Sequence, residues 1–216
     1  VGTGHELLPV LTKHMVAYAK LHYAFVSNFR SHIAMWPSWT EVVEWYWGVL
    51  CDAAKDGASV ALHHDDDDDM VMYPYRWIVL SLRLLHATLD RWQRNRPAGT
   101  MFAGASGAQF ELQMVDVLLK TYLRLTPTDL ERWQAHPEQF AIEEDQGDDE
   151  LDIRPAASEL MRALSRHSFR SGKGAAPEVP NVSDYMWMQF EASAQWPLTL
   201  EGVLAREVVY LSLIHI

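Results

Sequence analysis

Two histidines and five aspartates form the cluster in this sequence that is most suggestive of a metal site. His63 and His64 stand directly before the run Asp65–Asp69. Imidazole and carboxylate groups could hold a divalent cation, and such a cation could serve a metal-dependent hydrolase. Adjacent residues on one loop cannot all point at a single ion, and the Asp/Gly alternation of an EF-hand is absent. We therefore predict a solvated acidic loop here and no bound metal.

The sequence contains one cysteine, Cys51, just after the aromatic run at positions 45–47. One cysteine excludes a disulfide framework and a multi-thiolate metal cluster. A catalytic Cys–His pair would need His63 or His64 to reach the thiol, and a lone cysteine is more often a small core residue. The Gly104–Gly107 segment lacks both the lysine and the preceding strand of a phosphate-binding loop. We predict no enzyme activity and no cofactor.

Tryptophan is frequent, with nine residues in the chain of 216. Seven of them stand at helical spacing and could form an aromatic groove for peptides: Trp45, Trp47, Trp77, Trp92, Trp133, Trp187 and Trp196. Tryptophans at this spacing more often pack between helices. We therefore predict that they belong to the core.

The formal net charge of −11 comes from two short segments. Asp65–Asp69 contributes five acids and residues 138–152 contribute eight, so the rest of the chain is close to neutral. A protein that coats DNA or RNA needs a basic surface, so we expect no nucleic-acid partner. No signal peptide is recognisable, and the longest apolar stretch, Trp77–Leu89, is too short to span a bilayer.

Apolar residues recur every three or four positions along most of the chain, which is typical of amphipathic helices. A first helix would bury the stripe Leu7, Leu11, Met15, Tyr18, His22, Phe25 and Phe29. A second would follow a capping box at Ser38–Glu41 and bury Val42, Tyr46, Val49 and Ala53. A third would have Pro74 in its first turn and bury Ile78, Leu82, Leu85, Leu89 and Trp92. A cap at Thr126 predicts a short helix through Trp133.

Acidic loops over 57–73 and 136–153 and a Gly/Pro-rich linker over 170–181 separate the predicted helices. Helix starts near residues 5, 39, 75 and 108 are more widely spaced than a compact four-helix bundle needs. No strand pattern is present. We predict an all-α fold, an α-solenoid of HEAT-like antiparallel helix pairs. The chain begins without Met and ends within a helical pattern, so we expect an internal fragment, with residues 1–210 belonging to the solenoid.

The segment from Val115 to Leu164 carries a distinctive order of motifs. A helix ending in Leu125-Thr126 precedes a short helix with Trp133 and then His136–Phe140. An acidic stretch, Ile153–Ala156 and Glu159-Leu160 follow. This order closely resembles that of importin-β-like nuclear transport receptors, or karyopherins, of the importin-11 type.

The resemblance extends downstream to Leu204–Tyr210, so it covers roughly the second half of the chain, Phe110–Tyr210. In that family an acid stands where this sequence has His136, and a cysteine is frequent where it has Ala156. After Tyr210 the resemblance ends, and we expect residues 211–216 to be a non-native tail.

The resemblance implies a HEAT-repeat receptor that binds Ran-GTP and basic protein cargo, contacts nucleoporins and carries cargo through the nuclear pore. It implies shuttling between cytoplasm and nucleus, without membrane insertion or catalysis. It also implies that much of the Ran contact lies in repeats before Val1. A HEAT-repeat scaffold that assembles a complex without Ran dependence is the alternative function. Dependence of binding on the Ran nucleotide state separates the two.

Acidic loops suit basic cargo because long-range attraction between opposite charges raises the association rate. The candidate partner-binding residues are Glu143, Glu144, Asp145, Asp148 and Asp149, together with Asp65, Asp66, Asp67, Asp68 and Asp69. The alternative is that both loops are solvated insertions that bind no partner.

Overall fold

The computed structural model describes residues 3–29, 32–33, 36, 38–55, 73–95, 104–146, 152–171 and 180–214. Most of these residues are helical, and they form no β-strand. The helices are α1 (Thr3–Asn28), α2 (Trp39–Lys55), α3 (Tyr75–Asn95), α4 (Gly104–Val117), α5 (Pro127–Ala135), α6 (Pro137–Gln146), α7 (Ile153–Ser171), α8 (Val182–Ser193) and α9 (Leu200–Ile214). A five-residue π-helical turn, Leu118–Tyr122, follows α4 directly.

The long helices pack mainly on their neighbours in the array. α3 packs against both α1 and α7, α2 contacts α3, and α4 with its π turn contacts α7. α8 packs on α7 and α4, and α9 packs on α8 and the π turn. Stacking of neighbours is the arrangement of an α-solenoid. The predicted all-α solenoid is confirmed.

Buried aromatic rings pack between α2 and α3. Trp77 and Tyr46 are fully buried, and their rings stack with centroids 5.7 Å apart and 16° between the planes. Tyr122, in the π turn, also contacts α2. Its hydroxyl donates a 2.7 Å hydrogen bond to the Leu50 carbonyl oxygen. The π turn is thereby tied to the helix that precedes α3.

The predicted inward stripe of α3 is confirmed where its side chains are described. Ile78, Leu82, Leu85 and Leu89 are all buried, and the side chain of Trp92 lies outside the described residues. α3 begins at Tyr75, so Pro74, predicted in the first turn, stands immediately before the helix.

The predicted stripe of α1 is wrong for most of its members. Leu7, Leu11, Tyr18 and Phe29 are more than half exposed, whereas Ala19 and Val26 are buried. Apolar residues surround much of α1, so periodicity alone does not select the face that meets α3. α2 shows a smaller error of the same kind. Its buried face contains Val43 and Leu50 with Tyr46 and Ala53, and the predicted Val42 and Val49 lie at its edge.

The tryptophans divide between core and surface. Trp47 and Trp77 are buried, as predicted. Trp45, Trp133 and Trp187 are about half exposed, so the prediction of a core position is wrong for these three. Helical spacing therefore identified tryptophans that lie on helices without identifying the helix face on which they lie.

The loop predicted over residues 136–153 is wrong for ten of its residues, because Pro137–Gln146 forms α6. Pro137 stands at the first position of the helix, where a missing N–H group costs nothing, and Glu138 in the first turn interacts favourably with the helix dipole. The acidic composition of the segment concealed these local helix signals. Residues 56–72 and 172–179, which include most of the other predicted loop and of the linker, lie outside the described residues.

Candidate interaction surfaces

The structure places three of the ten candidate acids. Glu143, Glu144 and Asp145 lie in the last turn of α6, and their side chains are not among those described. Asp148, Asp149 and the Asp65–Asp69 run lie outside the described residues. The described part of the predicted acidic surface is therefore the α5–α6 unit.

The start of α5 is fixed by the predicted cap at Thr126. The Thr126 hydroxyl accepts a 3.1 Å hydrogen bond from the Asp129 backbone N–H, and the Asp129 carboxylate accepts a 2.8 Å bond from the Thr126 N–H. These reciprocal bonds form a capping box, which satisfies two backbone donors at the helix start. The predicted short helix after Thr126 is confirmed and extends to Ala135.

The α5–α6 unit projects an acidic, solvent-exposed surface. Its two helices pack mainly on each other, and Arg132 lies 6.0 Å from the ring centroid of Phe140 in a cation–π contact between them. Residues 131–139 are all exposed. Between residues 127 and 146 the sequence has six acids and a single Lys or Arg, Arg132. The exposed apolar side chains Trp133 and Ile142 lie on the same unit.

Buried polar contacts hold the start of α7, where the chain returns from the α5–α6 unit to the array of long helices. The Tyr75 hydroxyl donates a 2.5 Å hydrogen bond to Asp152 and accepts a 3.2 Å bond from the Ile153 N–H. Burial, and then the hydrogen bond to Asp152, raise the pKa of Tyr75 above its usual value. Arg154 pairs with Glu207 of α9 at 2.5 Å and its side chain is 10% exposed. Arg154 therefore joins the start of α7 to α9.

A second surface, which sequence reasoning missed, is a cleft of 370 Å³ between the π turn, α8 and the start of α9. Leu119 and Val209 are buried residues of its apolar lining, and Trp196 and Pro197 lie in the connector between α8 and α9. Its charged lining residues are Asp116, Lys120, Arg124 and Glu201. Clefts of about this size commonly bind small ligands.

The charged groups of the cleft differ in how well they are paired. Asp116 accepts a 2.7 Å hydrogen bond from Lys120 and a 3.0 Å bond from the Tyr185 hydroxyl. Burial, and then the Asp116 charge, raise the pKa of Tyr185 to about 12. Arg124 has Glu201 at 3.7 Å, and that glutamate side chain is 83% exposed. The Arg124–Glu201 pair is therefore weak and screened by solvent.

Three contacts hold the connector that forms one wall of the cleft. Arg206 donates a 2.8 Å hydrogen bond to the carbonyl oxygen of Ser193, the last residue of α8. It donates another to the carbonyl oxygen of Trp196 in the connector. The Thr199 hydroxyl accepts a 3.2 Å bond from the Gly202 N–H. A Cβ at Gly202 would overlap the Pro197 carbonyl oxygen, so α9 approaches the connector at a position that only glycine fits. In the sequence, Thr199 before Leu200 could have indicated a helix cap, but a cap by itself does not indicate a cleft.

The described residues do not assemble a nucleophile or a metal centre. Burial raises the pKa of the Cys51 thiol to about 11, so the thiolate is scarce near neutral pH. His22 contacts the Tyr46 hydroxyl at 2.9 Å, and burial lowers the pKa of this histidine. Within the described ranges no three His, Cys, Asp or Glu residues come together as metal ligands. No described helix is long and apolar enough to cross a membrane.

Comparison with solved structures identifies a related fold. The chain aligns with Lph2, described as a novel bidirectional nuclear transport receptor in S. cerevisiae, with a TM-score of 0.65 and 21% sequence identity. The alignment covers 91% of this chain and 19% of Lph2, so the chain spans about one fifth of that receptor's length. No protein-family model matches the sequence, and no curated protein matches it significantly. The fold of this chain is thus similar to part of a nuclear transport receptor.

Proposed function

We propose that this chain belongs to an importin-β-like nuclear transport receptor of the importin-11 type, which binds protein cargo and Ran-GTP and carries the cargo through nuclear pores. The observation that carries the proposal is the fold similarity to a nuclear transport receptor over 91% of the chain. The motif order from Val115 to Leu164 supports the importin-11 type in particular. Nucleoporins are the partners expected during passage, and the receptor would shuttle between cytoplasm and nucleus.

The α5–α6 unit is the surface that we assign to cargo. Its acids are spread over two short helices that project from the array, so a partner can approach them without displacing the core. A cluster of negative charge attracts a Lys/Arg-rich segment over distances of about 10 Å at 0.1 M salt. Basic cargo therefore fits this surface better than acidic or neutral cargo.

A binding assay with Ran tests the transport role. The chain, within the full-length polypeptide that carries it, is immobilised and exposed to Ran loaded with GTP or with GDP. Preferential capture of the GTP-bound form is expected, because a transport receptor must distinguish the two nucleotide states. Equal capture of both forms, or capture of neither, would contradict the proposal and favour a HEAT-repeat scaffold that assembles a complex without Ran dependence.

A further inference from the structure

The cleft between the π turn and α9 combines an apolar lining with a cation that is poorly neutralised. Leu119, Ala205 and Val209 line it from the helices, and the connector adds Trp196 and Pro197. The volume of 370 Å³ exceeds what one amino-acid side chain fills, and it suits a side chain together with part of its backbone. Such a cleft can take an apolar side chain out of water.

Arg124 is the group that gives this cleft a preference for negative charge. Its Nε atom is buried and makes no hydrogen bond to any residue in the described part of the chain. The Arg124 side chain as a whole is 32% exposed, so a carboxylate in the cleft can accept charge-assisted hydrogen bonds from its outer N–H groups. Glu201, at 3.7 Å and largely exposed, competes weakly. Lys120 is already engaged by Asp116, which leaves Arg124 as the stronger determinant.

The wall of the cleft is held in place before any ligand arrives. Arg206 binds two carbonyl oxygens of the connector region, Thr199 caps α9, and Gly202 lies against Pro197. Preorganised walls reduce the conformational entropy that binding would otherwise cost. Leu198 and Leu200, on either side of Thr199, are 85% and 65% exposed, so apolar surface flanks the connector.

We propose that this cleft binds a short peptide segment of a partner protein that presents an apolar side chain next to an Asp or Glu. The apolar side chain occupies the lining formed by Leu119, Ala205 and Val209, and the carboxylate accepts hydrogen bonds from Arg124. The exposed leucines of the connector contact the next residues of the segment. The preferred charge is opposite to that of the basic cargo assigned to α5–α6, so the two sites take different partners and are tested separately.

Selection from a displayed library of random heptapeptides tests the proposal on the whole chain. Enriched sequences are expected to share an apolar residue beside an Asp or Glu. The best such peptide, with capped ends, is then titrated by NMR while the Trp196 indole resonance is followed, together with matched peptides in which the acid becomes its amide or the apolar residue becomes Ser. Both changes should weaken binding.

Variants connect the binding to the cleft. Arg124→Gln should weaken the affinity for the acidic peptide about tenfold and leave its amide form unaffected, since a charge-assisted hydrogen bond is lost. Ala205→Trp should abolish binding by filling the cleft. Lys55→Gln, which removes an exposed cation of α2, should change nothing.

Three results would overturn the proposal: no enrichment, enrichment without an acidic residue, or an affinity that Arg124→Gln leaves intact. Arg124 lies at the partly exposed rim, so its substitution keeps the fold even if Ala205→Trp does not. Circular dichroism verifies the helix content of each variant.

Discussion

Single residues decide the shape of the connector between α8 and α9. Gly202 allows α9 to approach the Pro197 carbonyl, and Arg206 satisfies the carbonyl oxygens that the end of α8 leaves open. Neither residue belongs to the apolar core. Their importance comes from close contact rather than from hydrophobic burial.

Two glycine substitutions should change stability in opposite directions. Gly202→Ala should lower the free energy of unfolding by about 1–3 kcal/mol, because its methyl group would collide with backbone that cannot yield cheaply. Gly48→Ala, in the middle of α2, should raise it by about 0.5–1 kcal/mol, because a Cβ there meets no atom within 4 Å and alanine favours the helix. Urea unfolding of both variants gives the two values. The same sign for both would contradict this account of Gly202.

At the scale of elements, the helices differ in how firmly they belong to the array. α3 packs between α1 and α7 and has a buried stripe along its length, whereas α5 and α6 pack mainly on each other and are exposed. Surface residues of the α5–α6 unit can therefore be substituted without disturbing the core. The contacts of Tyr75 and Arg154 fix the start of α7, where the array resumes after the α5–α6 unit.

Charge placed in the α3 stripe should unfold its part of the array. Leu85→Asp puts an unpaired carboxylate at a position that is 2% exposed, and it should cost about 4 kcal/mol or more. Leu11→Asp on α1 is the matched control, because Leu11 is 57% exposed and the same change there should cost less than about 0.5 kcal/mol. Thermal unfolding followed by circular dichroism compares the two. Similar losses would show that the exposed face of α1 is not a free surface.

The whole molecule has an uneven charge distribution on a nearly neutral array. Thirteen of its 29 acids lie in two segments, and the remaining acids nearly balance 18 Lys and Arg residues. Long-range attraction of a basic partner therefore depends on these segments rather than on the net charge of the chain. One of them, residues 138–152, includes most of α6 in the projecting α5–α6 unit.

Neutralising the α6 acids should weaken binding of a Lys/Arg-rich peptide without unfolding the protein. The variant Glu143→Gln/Glu144→Gln/Asp145→Asn should lose about threefold to tenfold in affinity at low salt, and the loss should shrink as salt screens the charges. These acids lie at the C-terminal end of α6, where negative charge opposes the helix dipole, so their removal should stabilise the helix. Isothermal titration over a salt series measures the effect.

The matched control removes three acids from α2, Glu41→Gln/Glu44→Gln/Asp52→Asn. It lowers the negative charge of the chain equally but leaves α6 intact, so its affinity for the basic peptide should change less. Unchanged affinity of the α6 variant at low salt would contradict the assignment of cargo to this surface. Equal losses in both variants would assign the attraction to net charge alone.

The sequence by itself determined the features that depend on residues three or four positions apart. The all-α class, the buried stripe of α3 and the helix cap at Thr126 follow from spacing and local hydrogen bonding. Even here the prediction failed where local signals competed. The acids of residues 138–152 concealed the start of α6 at Pro137.

Only the tertiary structure decided which helix faces are buried and which distant residues meet. α1 has apolar residues on several faces, and its contact with α3 selects the one that contains Ala19 and Val26. Asp116 of the cleft accepts a hydrogen bond from Tyr185, 69 positions away, and at the start of α7 Asp152 accepts one from Tyr75, 77 positions away. Periodicity specifies positions around one helix axis, whereas these contacts depend on how separate helices pack.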